Sequence, residues 1–189
     1  MKKVLIITYY WPPAGGSGVQ RWVKFAKYLP QNGWQPVIYT PENPEMTVVD
    51  RTLEDDIPEE AVILKQPILE PYGIYRKLFG RNDAPVVAGE DAAGIRENGR
   101  TRGMMESASE VNPINARKKS LRQKISLWVR GNFFIPDPRC LWIRPSVKFL
   151  KKYLLEHPVD VIVSTGPPHS MLLIARKVAA ATGTPWVAD

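Results

Sequence analysis

The sequence predicts an α/β protein: a doubly wound, mainly parallel, Rossmann-like sheet. Three observations carry this. Apolar runs with almost no alternation, Val4-Leu5-Ile6-Ile7 and Val159-Asp160-Val161-Ile162-Val163, suit strands buried on both faces. Segments with apolar residues at helical spacing alternate with those runs along the chain. A glycine-rich turn, T-Y-Y-W-P-P-A-G-G-S-G-V-Q-R-W, joins the first run to the first helix.

Taken in order, Val4 to Ile7 is the first strand. Val19, Trp22, Val23, Ala26 and Leu29 then recur on one helical face, with Arg21, Lys24 and Lys27 largely opposite. Ser17 or Gly18 is the expected N-cap, and Asn32-Gly33 closes the helix. Pro36-Val37-Ile38-Tyr39-Thr40 reads as the second strand, completing a βαβ unit. Ala61-Val62-Ile63-Leu64 reads as the third. A short helix or turn follows at 72–79, and 80–116 is polar, glycine-containing and aperiodic, so a mobile insertion is expected there. A basic helix runs from Lys118 to near Gly131. Pro145 is expected as the first residue of the next helix, which His157-Pro158 stops near Glu156. Then come the fourth strand at 159–163, the loop Ser164-Thr165-Gly166-Pro167-Pro168-His169, a helix at 170–181 and a fifth strand at 184–188. The expected strand order is 3-2-1-4-5. It sets the loops after strands 1 and 4 across one crevice at the carboxyl ends, where doubly wound sheets bind ligands.

At 189 residues, 44% hydrophobic and 24% charged, the chain suits one soluble domain with a real core. Lys2-Lys3 before an apolar run resembles a signal peptide, but Thr8 and Pro12-Pro13 cut the run too short. No stretch approaches a membrane span. Cys140, the single cysteine, cannot form an internal disulfide and reads as a small packed hydrophobe in a reducing cytoplasm. The net charge of +7 is local: 42–60 is acidic, whereas 117–152 holds eleven basic residues against Asp137 alone. That excess suits nucleic acid, an anionic membrane or a phosphorylated substrate.

The glycine turn is the strongest chemical signal. Gly15, Gly16 and Gly18 allow positive φ and close approach to bare backbone, and the helix after them offers unpaired N–H groups to an anion. The bland alternative is a turn whose glycines serve only close packing of helix on strand. Arg21, one turn on, could grip a phosphate oxygen or simply face solvent. The dinucleotide fingerprint is not met: Arg21 stands where the third glycine belongs, and no acid ends strand 2. No Gly-Lys-Ser/Thr follows, which excludes a P-loop. Across the crevice, Pro167 and Pro168 stiffen the approach to His169, which could act on a ligand or merely cap the next helix. His157, at a helix end, reads as a surface residue. Asp189 could point into the crevice.

K-V-L-I-I-T-Y-Y-W-P-P-A-G-G-S-G-V-Q-R resembles the opening of the N-terminal domain of a family 4-type retaining glycosyltransferase of the GT-B fold. V-D-V-I-V-S-T-G-P-P-H-S is similar to a later segment of the same domain. The likeness covers both ends of the chain and hardly touches 80–116. It implies the acceptor-side half of a two-domain enzyme, with a nucleotide-diphosphate sugar as donor substrate and no other cofactor. It implies that Gly15 and Gly16 cradle the donor diphosphate and that His169 lies beside the transferred sugar or acceptor hydroxyl. The candidate site is thus Gly15, Gly16, Ser17, Gly18, Arg21 and Pro168 for donor-phosphate or acceptor binding, with His169 catalytic and no metal. The family's Glu-x7-Glu donor motif belongs to a second domain that would follow Asp189, so the chain is expected to bind but not catalyse alone.

The acceptor is expected to be a sugar or lipid-linked sugar, as in cell-surface polysaccharide or glycolipid synthesis. The segment 117–135, basic with Trp128, Phe133, Phe134 and Ile135, could lie on the anionic inner face of a membrane or bury its apolar side in the domain. From a different class, the chain could be a basic module binding nucleic acid or another polyanion, although no specific nucleic-acid motif is present.

Overall fold

The computed structural model describes residues 1–46, 48–68 and 135–189. The strands are β1 (Lys2–Ile7), β2 (Trp34–Pro41), β3 (Val62–Gln66), β4 (Val161–Ser164) and β5 (Trp186–Ala188), and the helices α1 (Ser17–Tyr28), α2 (Cys140–Glu156) and α3 (Ser170–Thr182). All strand pairs are parallel, in the order β3-β2-β1-β4-β5. That is the doubly wound sheet expected. The segments at 72–79, 80–116 and 118–131 lie outside the described residues, as does nearly all of the basic stretch 117–135.

β1 is central because both its faces are covered. Leu5 and Ile7 pack with α2 and α3, while Val4 and Ile6 pack with α1. Leu5, Ile6 and Ile7 have no exposed surface, which is why the run shows no polar alternation. β1 pairs with β2 from Lys2 opposite Trp34 to Ile7 opposite Tyr39, and with β4 from Val4 opposite Val161 to Ile7 opposite Ser164. Ile7 and Ser164 therefore end their strands level, and the two loops leave the same edge side by side.

Two helix starts differ from expectation. The N-cap of α1 is Gly16, earlier than Ser17 or Gly18, and its φ of 115° and ψ of 162° belong to a region that essentially only glycine occupies. α2 starts at Cys140, so Pro145 lies inside it rather than at its first position. The start is set by packing. Trp142 is 1% exposed and stacks on Tyr39 with ring centroids 5.0 Å apart, and Ser146 Oγ donates to the Trp142 carbonyl at 2.6 Å beside the proline. Phe149, Tyr153 and His157 continue the ring stack along the helix, with His157 exposed as expected. Gly33, in the left-handed region at φ 77°, closes the short 3-10 turn Pro30–Asn32 after α1.

α1 is also held from outside the core. Lys24 and Lys27 both donate to Asp56 at the end of the 3-10 turn Arg51–Asp56. Hydrogen bonds from Lys24 and Lys27 hold the Asp56 carboxyl below its usual range, and the bond to Asp56 raises the Lys27 ammonium. A depressed carboxylate contributes stability above its unfolded pKa and loses it as pH falls through the folded one. The Lys27 contribution is complete below its unfolded pKa and is lost as pH rises through its raised one. Asp56→Asn should therefore melt below the wild type at neutral pH, with the gap closing below about pH 4. A gap that stayed constant in thermal melts down to about pH 2 would contradict the pairing.

Candidate functional site

The glycine loop is not an open arch. Ala14 forms an isolated bridge with Val49, Gly15 N–H donates to Val48 O at 2.9 Å, and Asp50 N–H donates to Pro13 O at 2.8 Å. Trp11, 3% exposed, and Ala14, 1% exposed, are buried under this strap. A Cβ on Gly15 would meet Val48 Cγ1 at 2.9 Å and Asp50 Cβ at 3.1 Å. The absence of a side chain at Gly15 therefore lets two chain segments touch there, and its N–H is already engaged.

Gly16 and Gly18 differ from it. A Cβ at either would meet nothing within 4 Å. Gly16, Ser17 and Gly18 are exposed. α1 has no side-chain cap and no acid in its first turn, so the N–H groups of Ser17, Gly18 and Val19 have no intrahelical acceptor. They form an uncapped positive helix end on the carboxyl edge of the sheet. Beside it, Ser17, Gln20, Arg21, Lys24, Asp50, Thr52, Leu53 and Asp56 line an open groove of about 550 Å³.

The loop after β4 meets this end of α1. Thr165 N–H donates to Ile7 O at 3.2 Å. Arg21 reaches from α1 to Thr165 Oγ1 at 3.5 Å and forms an ion pair with the Asp189 carboxylate. Asp189 in turn donates its N–H to Ser164 O at 2.9 Å. Arg21 is thus neither solvent-facing alone nor directed at an empty site. It ties α1 to the ends of β4 and β5, and Asp189 lies in the crevice rather than fraying away from it.

Pro168 is buried and its carbonyl accepts from Met171 N–H at 3.2 Å, starting α3. His169 is the N-cap of α3 by backbone position, yet its side chain makes no capping bond. The ring is exposed and lies over the loop, with Nδ1 3.7 Å from where a Cβ on Gly166 would stand. The capping is done by Asp137, 33 residues away: it accepts from Ser170 N–H at 2.6 Å, Ser170 Oγ at 2.8 Å and Arg139 N–H at 2.8 Å. A carboxylate thus already satisfies the N-terminus of α3. Of these two helix ends at the carboxyl edge, the one available to a further anion is that of α1.

Sequence reasoning missed Asp137 and Arg139 as parts of this edge, and it gave Tyr9, at the start of the glycine loop, no role. Arg139 stacks over Tyr9, guanidinium carbon to ring centroid 4.7 Å, and its Nη2 is 3.5 Å from the Tyr9 hydroxyl. Asp137-Pro138 is a helix-start signal in its own right. The partners of Asp137 in α3 leave no local trace. Among the described residues no group of three or more His, Cys, Asp or Glu side chains is placed to hold a metal ion, and no helix is long and apolar enough to cross a membrane. Cys140 is partly buried, and burial, with Asp137 nearby, raises its thiol pKa, the opposite of what a nucleophile needs.

No family model and no curated protein matches the sequence. Among solved structures the chain is similar to the C-terminal domain of a hydrogenase from Pyrococcus furiosus, with 13% identity, a TM-score of 0.43, and coverage of the whole chain and 90% of that domain. It is similar to UGT2 of Phytolacca americana, solved with UDP-2fluoro-glucose and pterostilbene, with 13% identity, a TM-score of 0.47, and coverage of the whole chain and 30% of that one. A glycosyltransferase from Rickettsia africae gives 13% identity and a TM-score of 0.42, again over the whole chain and 30% of that protein. The chain thus spans under a third of these glycosyltransferase chains. At such scores the likenesses do not bear on what the protein does.

Proposed function

We propose that this chain is the acceptor-side domain of a nucleotide-sugar-dependent glycosyltransferase of the GT-B type, transferring a sugar to a hydroxyl with retention. The observation that carries the reading is the uncapped, glycine-built N-terminus of α1 on the carboxyl edge beside the loop that ends in His169. The sequence resemblance supplies the rest. On this reading the N–H groups at Ser17 and Gly18 meet the departing diphosphate, with Gly16 giving the turn that aims them. Arg21 adds a cation when it exchanges Asp189 for a phosphate oxygen. His169, on its Pro168-anchored turn, faces the transferred sugar or the acceptor hydroxyl, and Gly15 holds the loop in shape. The donor's base and sugar are left to a second domain. Charge stabilisation and positioning are the chemistry such groups can supply. A lipid-linked acceptor and cytoplasmic action at the inner membrane face belong to the same reading, and the basic segment expected to make that contact, 117–135, lies outside the described residues but for Ile135.

Amide-resolved NMR titration with UDP and GDP tests it. Shifts should gather at Ser17, Gly18, Val19, Arg21 and the 165–169 loop, and NADH should cause none there. Changes confined to other parts of the chain would overturn the assignment. In a sugar-transfer assay of the enzyme that carries both domains, His169→Ala should lower turnover by about 10²- to 10⁴-fold. Turnover equal to wild type would remove the histidine from the reaction.

A further inference from the structure

Arg144, Val147, Lys148 and Lys151 of α2 and Lys177 of α3 line an open groove of about 350 Å³ between the two helices. The four cations of this groove have no ion pair among the described residues, whereas Arg21, Lys24 and Lys27 on α1 are all paired. The two helices themselves carry almost no acid: α3 has none, and α2 only Glu156 at its last residue. Lys152 and Arg176 add two more exposed charges to the same pair of helices.

The outer face of α2 has a second property. Positions 141, 144, 148, 151 and 155 fall in one stripe at helical spacing. It reads Leu141, Arg144, Lys148, Lys151, Leu155, three cations between two leucines. Leu141 is 49% and Leu155 84% exposed. Solvated lysines need no such leucines, and a core-facing stripe would not carry the lysines. A cationic helix face with projecting aliphatic side chains, about 26 Å long in α2, has the chemistry of a water–bilayer boundary.

We propose that the outer face of α2 and α3 docks on an anionic phospholipid surface, with the groove cations against lipid phosphates and Leu141 and Leu155 entering the acyl boundary. Nucleic acid fits less well. Among the described residues the cationic face lacks a ring on which a base could stack, because Trp142 is buried and Phe149 and Tyr153 belong to the stack with Tyr39 and His157.

The test is vesicle flotation of the full chain with equal parts phosphatidylcholine and phosphatidylglycerol, against phosphatidylcholine alone, at low and high salt. Binding should require the anionic lipid and weaken with salt. Lys148→Gln with Lys151→Gln should bind about twenty-five-fold more weakly, from roughly five-fold per charge at the surface. Leu155→Ser should bind about ten-fold more weakly with no change in charge. Lys2→Gln with Lys65→Gln, the same charge loss on exposed residues elsewhere, should bind as wild type. All five positions are exposed, so melts by circular dichroism should coincide. Equal loss in the two double variants would reduce the effect to net charge and overturn the proposal. So would unaltered binding by Lys148→Gln with Lys151→Gln, tighter binding to single-stranded RNA than to the vesicles, or a groove-dependent dimer in sedimentation that ignores vesicles.

Discussion

Trp142→Ala should cost the chain about 3–5 kcal/mol, the usual range for removing a large aromatic from a packed core. Trp142 is 1% exposed, and its ring lies nearly parallel to that of Tyr39, 11° apart at 5.0 Å. It joins α2 to the second strand of the sheet and sits in the first turn of the helix. Its loss opens a cavity that Tyr39 and Phe149 cannot both fill, because Phe149 already stacks on Tyr39 from the same helix. Against a typical total of about 5–15 kcal/mol, the variant should melt far earlier or fail to fold, as urea titration and thermal circular dichroism would show. Tyr39→Phe is the contrasting change. The Tyr39 hydroxyl is buried with no hydrogen bond of good geometry among the described residues; burial pushes its pKa upward, and the neighbouring Ser146 hydroxyl opposes this by less. Deleting an unpaired buried hydroxyl while keeping the ring should be neutral or stabilising. A cost under about 1 kcal/mol for Trp142→Ala, or a large one for Tyr39→Phe, would mean the rings are not packed as described.

These two residues also mark where the sequence stops being legible. β1, β2 and the strand order could be read because burial on both faces writes itself into uninterrupted apolar runs, and Val4-Leu5-Ile6-Ile7 needs no distant partner to be recognised. The start of α2 could not. Pro145 is a strong local signal for a first helical position, but Trp142 on Tyr39 and Asp137 on Ser170 extend the helix back past it, across about a hundred and about thirty residues of chain. The same division runs through the candidate site. The topology of a doubly wound sheet was enough to put the glycine turn and the His169 loop on one edge. It could not say that Val48 and Asp50 would close over Gly15, that Arg21 would turn to Thr165 and Asp189, or that Asp137 would occupy the end of α3. Each of those is a contact between segments far apart in the chain, with no periodicity to announce it.

Neighbouring glycines should consequently fail in different ways when substituted. Gly16→Val is expected to weaken nucleotide-diphosphate binding and any sugar transfer by about 10²- to 10³-fold, the scale of losing an aligned backbone donor. The added side chain has room, since a Cβ at Gly16 meets nothing within 4 Å. The damage comes from the backbone: at φ 115° and ψ 162° a valine is strained by about 1–3 kcal/mol, and relief means rotating the turn that aims the Ser17 and Gly18 N–H groups. Gly15→Ala reverses the pattern. Its backbone angle permits alanine, but the Cβ would press on Val48 Cγ1 and Asp50 Cβ, so the chain should lose about 1–2 kcal/mol through overpacking of the strap. Its N–H is already given to Val48 O, so ligand affinity measured below the lowered melting temperature should stay within a few-fold of wild type. Calorimetric titration of both variants with UDP and GDP, alongside thermal melts, separates the two effects. If Gly15→Ala lost binding while keeping stability, the strap would have to open to receive the ligand, and Gly15 would rejoin the phosphate cradle. If Gly16→Val lost stability alone, the uncapped end of α1 would be a folding feature, and the sugar-transfer reading would lose the observation that carries it.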